Sequence, residues 1–223
     1  MFIVLEGMDA CGKDTQGPLL VERFGKNGVK AREFSFPSTE TELGKAIARH
    51  LKEETYLTSY DLAPCDPGPP WSSSGASSPH SDDPLVFQCM MIADRCEALG
   101  EITETLQTGL PVITKRWWPS GYVYGAAEGL PPAWLRKVHW HLPKPDLYIL
   151  LDLDVETAIA RRPDRRDRYE SNIDYQKKIA DGYRELWAQG NPSYWHVIDG
   201  RLPIEEVHAL IWREVYIAMD NEF

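Results

Sequence analysis

Apolar positions along the chain form short blocks separated by stretches with helical spacing, and the blocks set the expected order of elements. Phe2-Ile3-Val4-Leu5 is a continuous, partly β-branched apolar run, which predicts a short strand buried on both faces. A glycine-bounded loop and a helix from about Thr15 to Phe24 follow, and Val29 to Phe34 is a candidate second strand. Leu43, Ile47 and Leu51 recur at four-residue spacing and predict a helix over Glu42–Glu54. From Leu85 the pattern predicts one long helix to about Thr108, with Gly109 as its C-cap and Pro111-Val112-Ile113-Thr114 as the next strand. Leu147 to Leu153, almost wholly apolar, is the clearest strand of the chain. Helices over Val155–Arg162 and Ile173–Gln189, a strand Trp195–Ile198 and a last helix Pro203–Ala218 complete the order. Pro203 suits a first helical turn, and Glu205 and Glu206 favour its positive end.

Strands that alternate with helices call for a parallel sheet covered on both faces. Asp61 to Pro84 interrupts the rhythm, because Pro-Gly-Pro-Pro and the serine-rich run after it bury too little apolar surface to offset their ordering entropy. The expectation is a mobile surface loop over 61–84 inserted in a single domain of residues 1–223. An interdomain linker is the competing reading, weakened by the continuity of the apolar pattern on either side.

Chemistry enters at Gly7-Met8-Asp9-Ala10-Cys11-Gly12-Lys13, which matches G-x-x-x-x-G-K between an apolar strand and a helix. Two glycines let successive backbone N–H groups wrap a polyphosphate, the following helix presents its positive end, and Lys13 supplies a mobile cation. Gly7, Ala10, Cys11, Gly12, Lys13, Asp14 and Thr15 are therefore the candidate phosphate-binding residues. Asp14 stands where a hydroxyl residue usually supports magnesium, and a carboxylate can itself hold that ion.

Charge narrows the partners. Lys and Arg number 24 against 34 Asp and Glu, a net −10, which argues against broad capture of duplex nucleic acid and for a small ligand. No apolar run approaches the roughly 18 residues of a membrane helix. Cys11, Cys65, Cys89 and Cys96 lack metal-ligand or disulfide-framework spacing, and no leader pattern precedes the first strand. Four unpaired, mostly buried thiols in a reducing, cytoplasmic setting are expected.

The loop and four later blocks together resemble thymidylate kinase and related nucleoside monophosphate kinases over nearly the whole chain. Those blocks are Phe36-Pro37 with Glu42-Leu43-Gly44-Lys45; Ala93-Asp94-Arg95; Val112 to Trp117 with Ser120-Gly121 and Tyr124-Gly125-Ala126; and Arg161 to Glu170. The resemblance implies a three-layer α/β P-loop fold, a central parallel five-stranded sheet flanked by helices, with a short arginine-rich lid over 161–171. It implies transfer of the γ-phosphoryl group of ATP, with Mg2+, to thymidylate or a related pyrimidine deoxynucleotide, and a homodimer. Lys13, Arg116, Arg165 and Arg166 would neutralise the transferring group, with Arg168 beside them. Asp9, Phe36, Met91, Arg95, Arg116, Tyr124 and Tyr169 would hold the acceptor, and Asp14 the metal. Transfer between two anions needs positioning and charge neutralisation more than proton chemistry, which accounts for cations from several regions of an acidic chain.

Departures from the family pattern gather around the acceptor. Thr39 replaces an arginine, Met91 an aromatic ring, Lys115 an aspartate and Trp117 a tyrosine. Phe87, one turn before Met91, could supply the missing ring, and Trp117 and Trp118 either shape the pocket wall or sit in the core. Asp14 and Lys115 either pair with each other, or Asp14 carries the metal. Asp152 and Asp154 close a strand and are expected to cap the next helix. A kinase of a nucleoside or modified-pyrimidine hydroxyl with Asp9 as general base, and a nucleotide-binding module without turnover, remain as alternatives.

Overall fold

The computed structural model describes residues 1–52, 84–162, 172–190 and 194–220. Five strands form one sheet: β1 (Phe2–Glu6), β2 (Arg32–Ser35), β3 (Val112–Lys115), β4 (Leu147–Asp152) and β5 (Trp195–Asp199). They are all parallel, in the order β2-β3-β1-β4-β5. Each crossover therefore carries helix, and the carboxyl ends of all five strands gather at one edge, where open α/β sheets bind ligands. The first strand is central, which is why Phe2–Leu5 needs no polar face: all four are at most 2% exposed.

Helices cover both faces. They are α1 (Lys13–Lys26), α2 (Glu42–Leu51), α3 (Pro84–Glu97), α4 (Leu99–Gln107), α5 (Trp118–Ala127), α6 (Pro132–Val138), α7 (Val155–Arg161), α8 (Ile173–Ala188) and α9 (Ile204–Asp220). On one face Ile3, Leu5, Ile113, Ile149 and Leu151 pack with Leu20 and Phe24 of α1 and Ile211 and Val215 of α9. On the other, Phe2, Val4, Val112 and Tyr148 pack with Ile102 of α4 and with Trp117. The alternation of these side chains between two cores is the period-two geometry of a strand buried on both sides.

The long helix expected from Leu85 to Thr108 is two helices. Ala98 leaves the helix, and the break lets α4 lie against β3 while α3 packs on α2 and α5. Two further helices, α5 and α6, fall where no element was expected. Trp118–Ala127 carries Pro119, Gly121 and Gly125 and is buried around most of its circumference, so it has neither good propensity nor an apolar stripe. Its glycines are there for packing. A Cβ on Gly121 would lie 2.4 Å from Nε2 of His139, and one on Gly125 would lie 2.5 Å from Leu135. Helix α6 thus closes on α5 as only a glycine surface permits. Prolines near the start of each helix cost little, since those N–H groups have no intrahelical partner.

Smaller corrections follow. The phosphate-loop helix begins at Lys13, two residues earlier than the pattern suggested, and β2 begins at Arg32 rather than Val29. Asp154 caps α7 through the N–H of Thr157 at 2.7 Å, whereas Asp152 instead pairs with Arg184 at 3.1 Å. Cys11 is buried, but Cys89 and Cys96 are exposed, against the expectation of mostly buried thiols; Cys65 lies outside the described residues. So does most of the expected 61–84 loop, of which Pro84 begins α3. No helix among the described residues is long and apolar enough to cross a membrane.

Candidate active site

The phosphate loop joins the end of β1 to α1, and its turns demand particular backbone angles. Gly7 has φ +134° and Gly12 φ +112°, values that residues with a Cβ avoid. At Gly7 space is also short: a Cβ would stand 2.6 Å from the Leu151 carbonyl oxygen and 2.8 Å from Sγ of Cys11. Gly7→Ala is expected to cost about 2 kcal/mol of stability, by the usual scale for a side chain in a disfavoured backbone region, and to lower the urea midpoint accordingly. An unchanged midpoint would show that the loop can relax. Ala10 adopts φ +60°, and such strain at a non-glycine residue points to a ligand-shaped loop. Nζ of Lys13 donates to the carbonyls of Gly7 and Met8, both at 2.7 Å, and approaches Sγ of Cys11 at 3.3 Å. The lysine is therefore folded along the loop it serves.

Opposite the loop, β3 ends at Lys115, and Arg116 follows it. Arg116 has φ +67°, and its N–H is fixed by the Leu5 carbonyl at 2.9 Å. Its guanidinium forms a close ion pair with Asp9 and lies over the Tyr124 ring, 5.2 Å from the centroid. The Tyr124 hydroxyl donates to the other Asp9 oxygen at 3.1 Å. Burial opposes ionisation of Asp9, but the charges of Arg116 and Lys13 and the Tyr124 hydroxyl outweigh it, and its carboxyl is held below the usual range. Arg116 is raised well above its ordinary value, burial being overcome first by Asp9.

Beneath this group lies a carboxylate that the sequence did not single out. Glu6, the last residue of β1, is fully buried. Its Oε1 accepts from the Trp117 N–H at 2.7 Å, and its Oε2 accepts from the hydroxyls of Ser120 at 2.7 Å and Tyr183 at 3.0 Å. One acid thereby ties β1, the β3–α5 turn and α8 together immediately after Arg116. The only sequence signal was a carboxylate closing an otherwise apolar run. Trp117 itself is fully buried between Phe2 and Phe36, with ring centroids 5.4 Å and 5.3 Å away, so it belongs to the core and not to a pocket wall.

Two cavities meet at Asp9, Arg116 and Arg162, which line both. The first, about 220 Å³, is polar and bounded by Gly12, Lys13, Asp14, Thr15 and Lys115. The second, about 250 Å³, is more apolar and lies between α2, α3 and α5, with Phe87, Met91 and Tyr124 in its walls. A third, about 490 Å³, opens on the other side of the loop between Gln16 and the Arg201–Val207 segment. Arg161 spans this side, donating to the carbonyls of Gly200 at 2.7 Å and Ala10 at 3.3 Å. Arg161 and Arg162 open the arginine-rich block expected as a lid, whereas Gly200 to Leu202 had only the glycine turn before α9 as a sequence trace.

Among the expected acceptor residues, Asp9, Met91, Arg116 and Tyr124 line the second cavity. Phe36 and Arg95 do not. Phe36 is buried against Trp117, and Pro37 takes its place in the wall. Arg95 is fully buried, its Nη1 donating to the Met91 carbonyl at 2.7 Å and its guanidinium 5.8 Å from the Phe36 ring. Burial lowers its pKa to about 10, still far above neutrality. Asp94 beside it accepts the Ser38 N–H at 3.0 Å, so the Phe36-Pro37 and Asp94-Arg95 blocks meet in space. Arg165, Arg166, Arg168 and Tyr169 lie outside the described residues, as does most of the expected 161–171 lid.

A glycine loop joining a central parallel strand to a helix, with cations facing it from the neighbouring strand end, defines a P-loop nucleotide-binding α/β protein. The thymidylate kinase family profile matches residues 5–63 and 77–211. The chain belongs to the thymidylate kinase family. It is 30% identical to the thymidylate kinase of Schizosaccharomyces pombe over 94% of this chain and 88% of that one. It is 31% identical to the thymidylate kinase of Plasmodium falciparum over 96% and 89%. The structure of thymidylate kinase from Candida albicans superposes with a TM-score of 0.72 at 23% identity, over 99% of this chain and 92% of that one. The five-stranded parallel architecture is thus that of the family.

Proposed function

We propose that this chain is an ATP-dependent thymidylate kinase, transferring the γ-phosphoryl group of ATP to the phosphate of dTMP to give dTDP. The observation that carries the reading is the pair of adjoining cavities, one polar and loop-lined, the other half apolar, sharing Asp9, Arg116 and Arg162 at their junction. Two anionic phosphates can be brought end to end only where cations face both. In this reading the loop amides and Lys13 hold the donor phosphates, and the cavity beside Arg201–Val207 takes the donor's base and ribose. Arg116 neutralises charge on the transferring group, joined by Arg165 and Arg166. Asp9, Met91, Tyr124, Arg95 and Tyr169 orient or support the acceptor, Arg95 and Phe36 from beneath the cavity wall.

Magnesium fits this site loosely. It commonly takes one or two carboxylates, with substrate phosphates and water completing the shell. Asp14 offers one exposed carboxylate oxygen besides the one facing Lys115, and Thr15 a hydroxyl beside it. Among the described residues no cluster of three His, Cys, Asp or Glu stands ready to hold a metal. When bound, the ion would supply charge neutralisation between donor phosphates. A homodimer, by family resemblance, and a cytoplasmic setting, supported by the lack of disulfide-framework spacing among Cys11, Cys65, Cys89 and Cys96, belong to the same proposal.

Asp9 argues against a hydroxyl acceptor. A general base is most effective with a pKa near working pH, and this carboxyl lies below the ordinary range with both oxygens engaged. The test is a coupled ADP-release screen over common nucleoside monophosphates and nucleosides, with product analysis. The expected result is a diphosphate formed preferentially from dTMP; a new monoester from a nucleoside, or ATP binding without turnover, would overturn the reading. Lys13→Met is expected to lower kcat by about 10²–10³-fold, the usual loss for one preorganised charge-stabilising donor.

A further inference from the structure

Lys115 closes β3 at the rim of the loop-lined cavity and is enclosed by two carboxylates from different elements. Its Nζ lies 3.1 Å from Oδ1 of Asp14, in the first turn of α1, and 3.1 Å from Oε1 of Glu33 on β2. The lysine side chain is 16% exposed and Glu33 22%, whereas Asp14 is 76% exposed. One carboxylate is thus a sheltered anchor and the other an open, solvent-facing latch. Space for the group is made by Gly17, where a Cβ would lie 2.4 Å from Glu33 Oε1 and 3.4 Å from Cδ of Lys115. The ammonium stays charged: burial opposes it, but the two carboxylates raise its pKa above the ordinary lysine value.

A purely structural ion pair has no need to border the phosphate cavity, yet Asp14 and Lys115 both line it with Gly12, Lys13 and Thr15. The pair is open to solvent on its Asp14 side, where water screens the attraction, so an arriving polyphosphate with several charged oxygens can take the place of Asp14. The sheltered Glu33 carboxylate meets the same Nζ, so it keeps the ammonium at the cavity rim while Asp14 gives way to phosphate.

We propose that Lys115 is a donor-phosphate ligand, held in readiness by Glu33 and restrained by Asp14, so that part of the charge neutralisation usually left to a metal is built into the end of β3. The inference rests on the loop-lined cavity being the donor site. It concerns binding in the absence of metal, so its failure can be told from failure of that reading.

The experiment is calorimetric titration of a non-hydrolysable ATP analogue, in EDTA and in Mg2+, into wild type, Lys115→Met, Lys115→Arg and Asp14→Asn. Lys115→Met is expected to weaken metal-free binding about tenfold or more, the scale of one hydrogen bond to a charged group, with Lys115→Arg retaining most of the affinity. Asp14→Asn, by freeing the ammonium and removing a repelling carboxylate, is expected to tighten metal-free binding several-fold. A Lys115→Met affinity within twofold of wild type in EDTA, or a weaker metal-free affinity for Asp14→Asn, overturns the proposal. Thermal melts of each variant report folding. If Lys115→Met does not fold, Asp14→Asn decides alone, since a structural pair predicts lower Tm with unchanged affinity. A wild type that binds the analogue in neither buffer removes the donor-site reading and this one with it.

Discussion

Arg116→Ala is expected to lower kcat for phosphoryl transfer by about 10³-fold or more, the scale on which an arginine acting on a transferring phosphoryl group works. Two effects combine. The guanidinium borders both cavities, so its loss removes charge at their junction, where the proposed reading brings the two phosphates together. It also leaves Asp9, which lines both cavities and is largely buried, without its main counter-charge. In wild type the depressed Asp9 carboxyl is ionised throughout the neutral range. Its contribution to stability is present above the ordinary aspartate pKa of 3.8 and is lost only as pH falls through the lower folded value. Removing Arg116 leaves burial opposed by less, so the Asp9 pKa rises and the acid limb of residual activity moves to higher pH. Arg116→Lys keeps a charge but not the planar fork, and is expected to fall between the two. Steady-state kinetics across pH 5 to 9, a range set by ordinary carboxylate and histidine titration, separate these outcomes. An Arg116→Ala enzyme within tenfold of wild type would remove Arg116 from the catalytic assignment.

Glu6→Ala should be the most damaging single change to stability, by about 4 kcal/mol. The substitution deprives the Trp117 N–H and the hydroxyls of Ser120 and Tyr183 of their acceptor, and each unsatisfied buried group costs roughly 1–3 kcal/mol. The two hydroxyls stand 2.8 Å apart and can still bond each other, which limits the sum. For a chain of this length that loss corresponds to a fall in Tm of roughly 10 °C. Glu6→Gln preserves volume and an acceptor for Trp117, and should lose much less. Because the Trp117 N–H follows the left-handed Arg116, the alanine variant should also lose activity beyond its unfolded fraction. A Glu6→Ala protein melting within 3 °C of wild type, about 1 kcal/mol, would contradict the account.

The strands and the phosphate loop were legible because their causes are local. A fully buried parallel strand must be continuously apolar, and a loop that wraps phosphate must place glycines at fixed offsets. The helices α5 and α6 were not legible, because Pro119, Gly121, Gly125 and Pro132 signal breaks by propensity while serving close packing that only the neighbouring helices reveal. The division at Ala98 has the same origin, since two helices must reach two different surfaces. Of the residues expected from the motif and the resemblance, Lys13, Asp9, Arg116 and Tyr124 lie together around the two cavities. Glu6 escaped notice because its partners are 111 to 177 residues away. Phe36 and Arg95 show the converse limit: spacing identifies the right helix and turn, but not whether a side chain faces the cavity or the core behind it. The Asp14–Lys115 contact was left open by sequence against a metal role for Asp14, and the 3.1 Å approach decides the geometry of the pair.

Asp9, Arg116 and Arg162 face two chambers at once, so if each chamber takes one nucleotide, as proposed, a shift of these side chains by one occupant is felt by the other. Thermodynamic reciprocity then applies: whatever factor one nucleotide imposes on the affinity of its neighbour is returned in equal measure. A full cycle of binding measurements, each ligand alone and each in the presence of the other, should close on a single heterotropic constant whose size reports how strongly those three side chains couple the halves of the reaction.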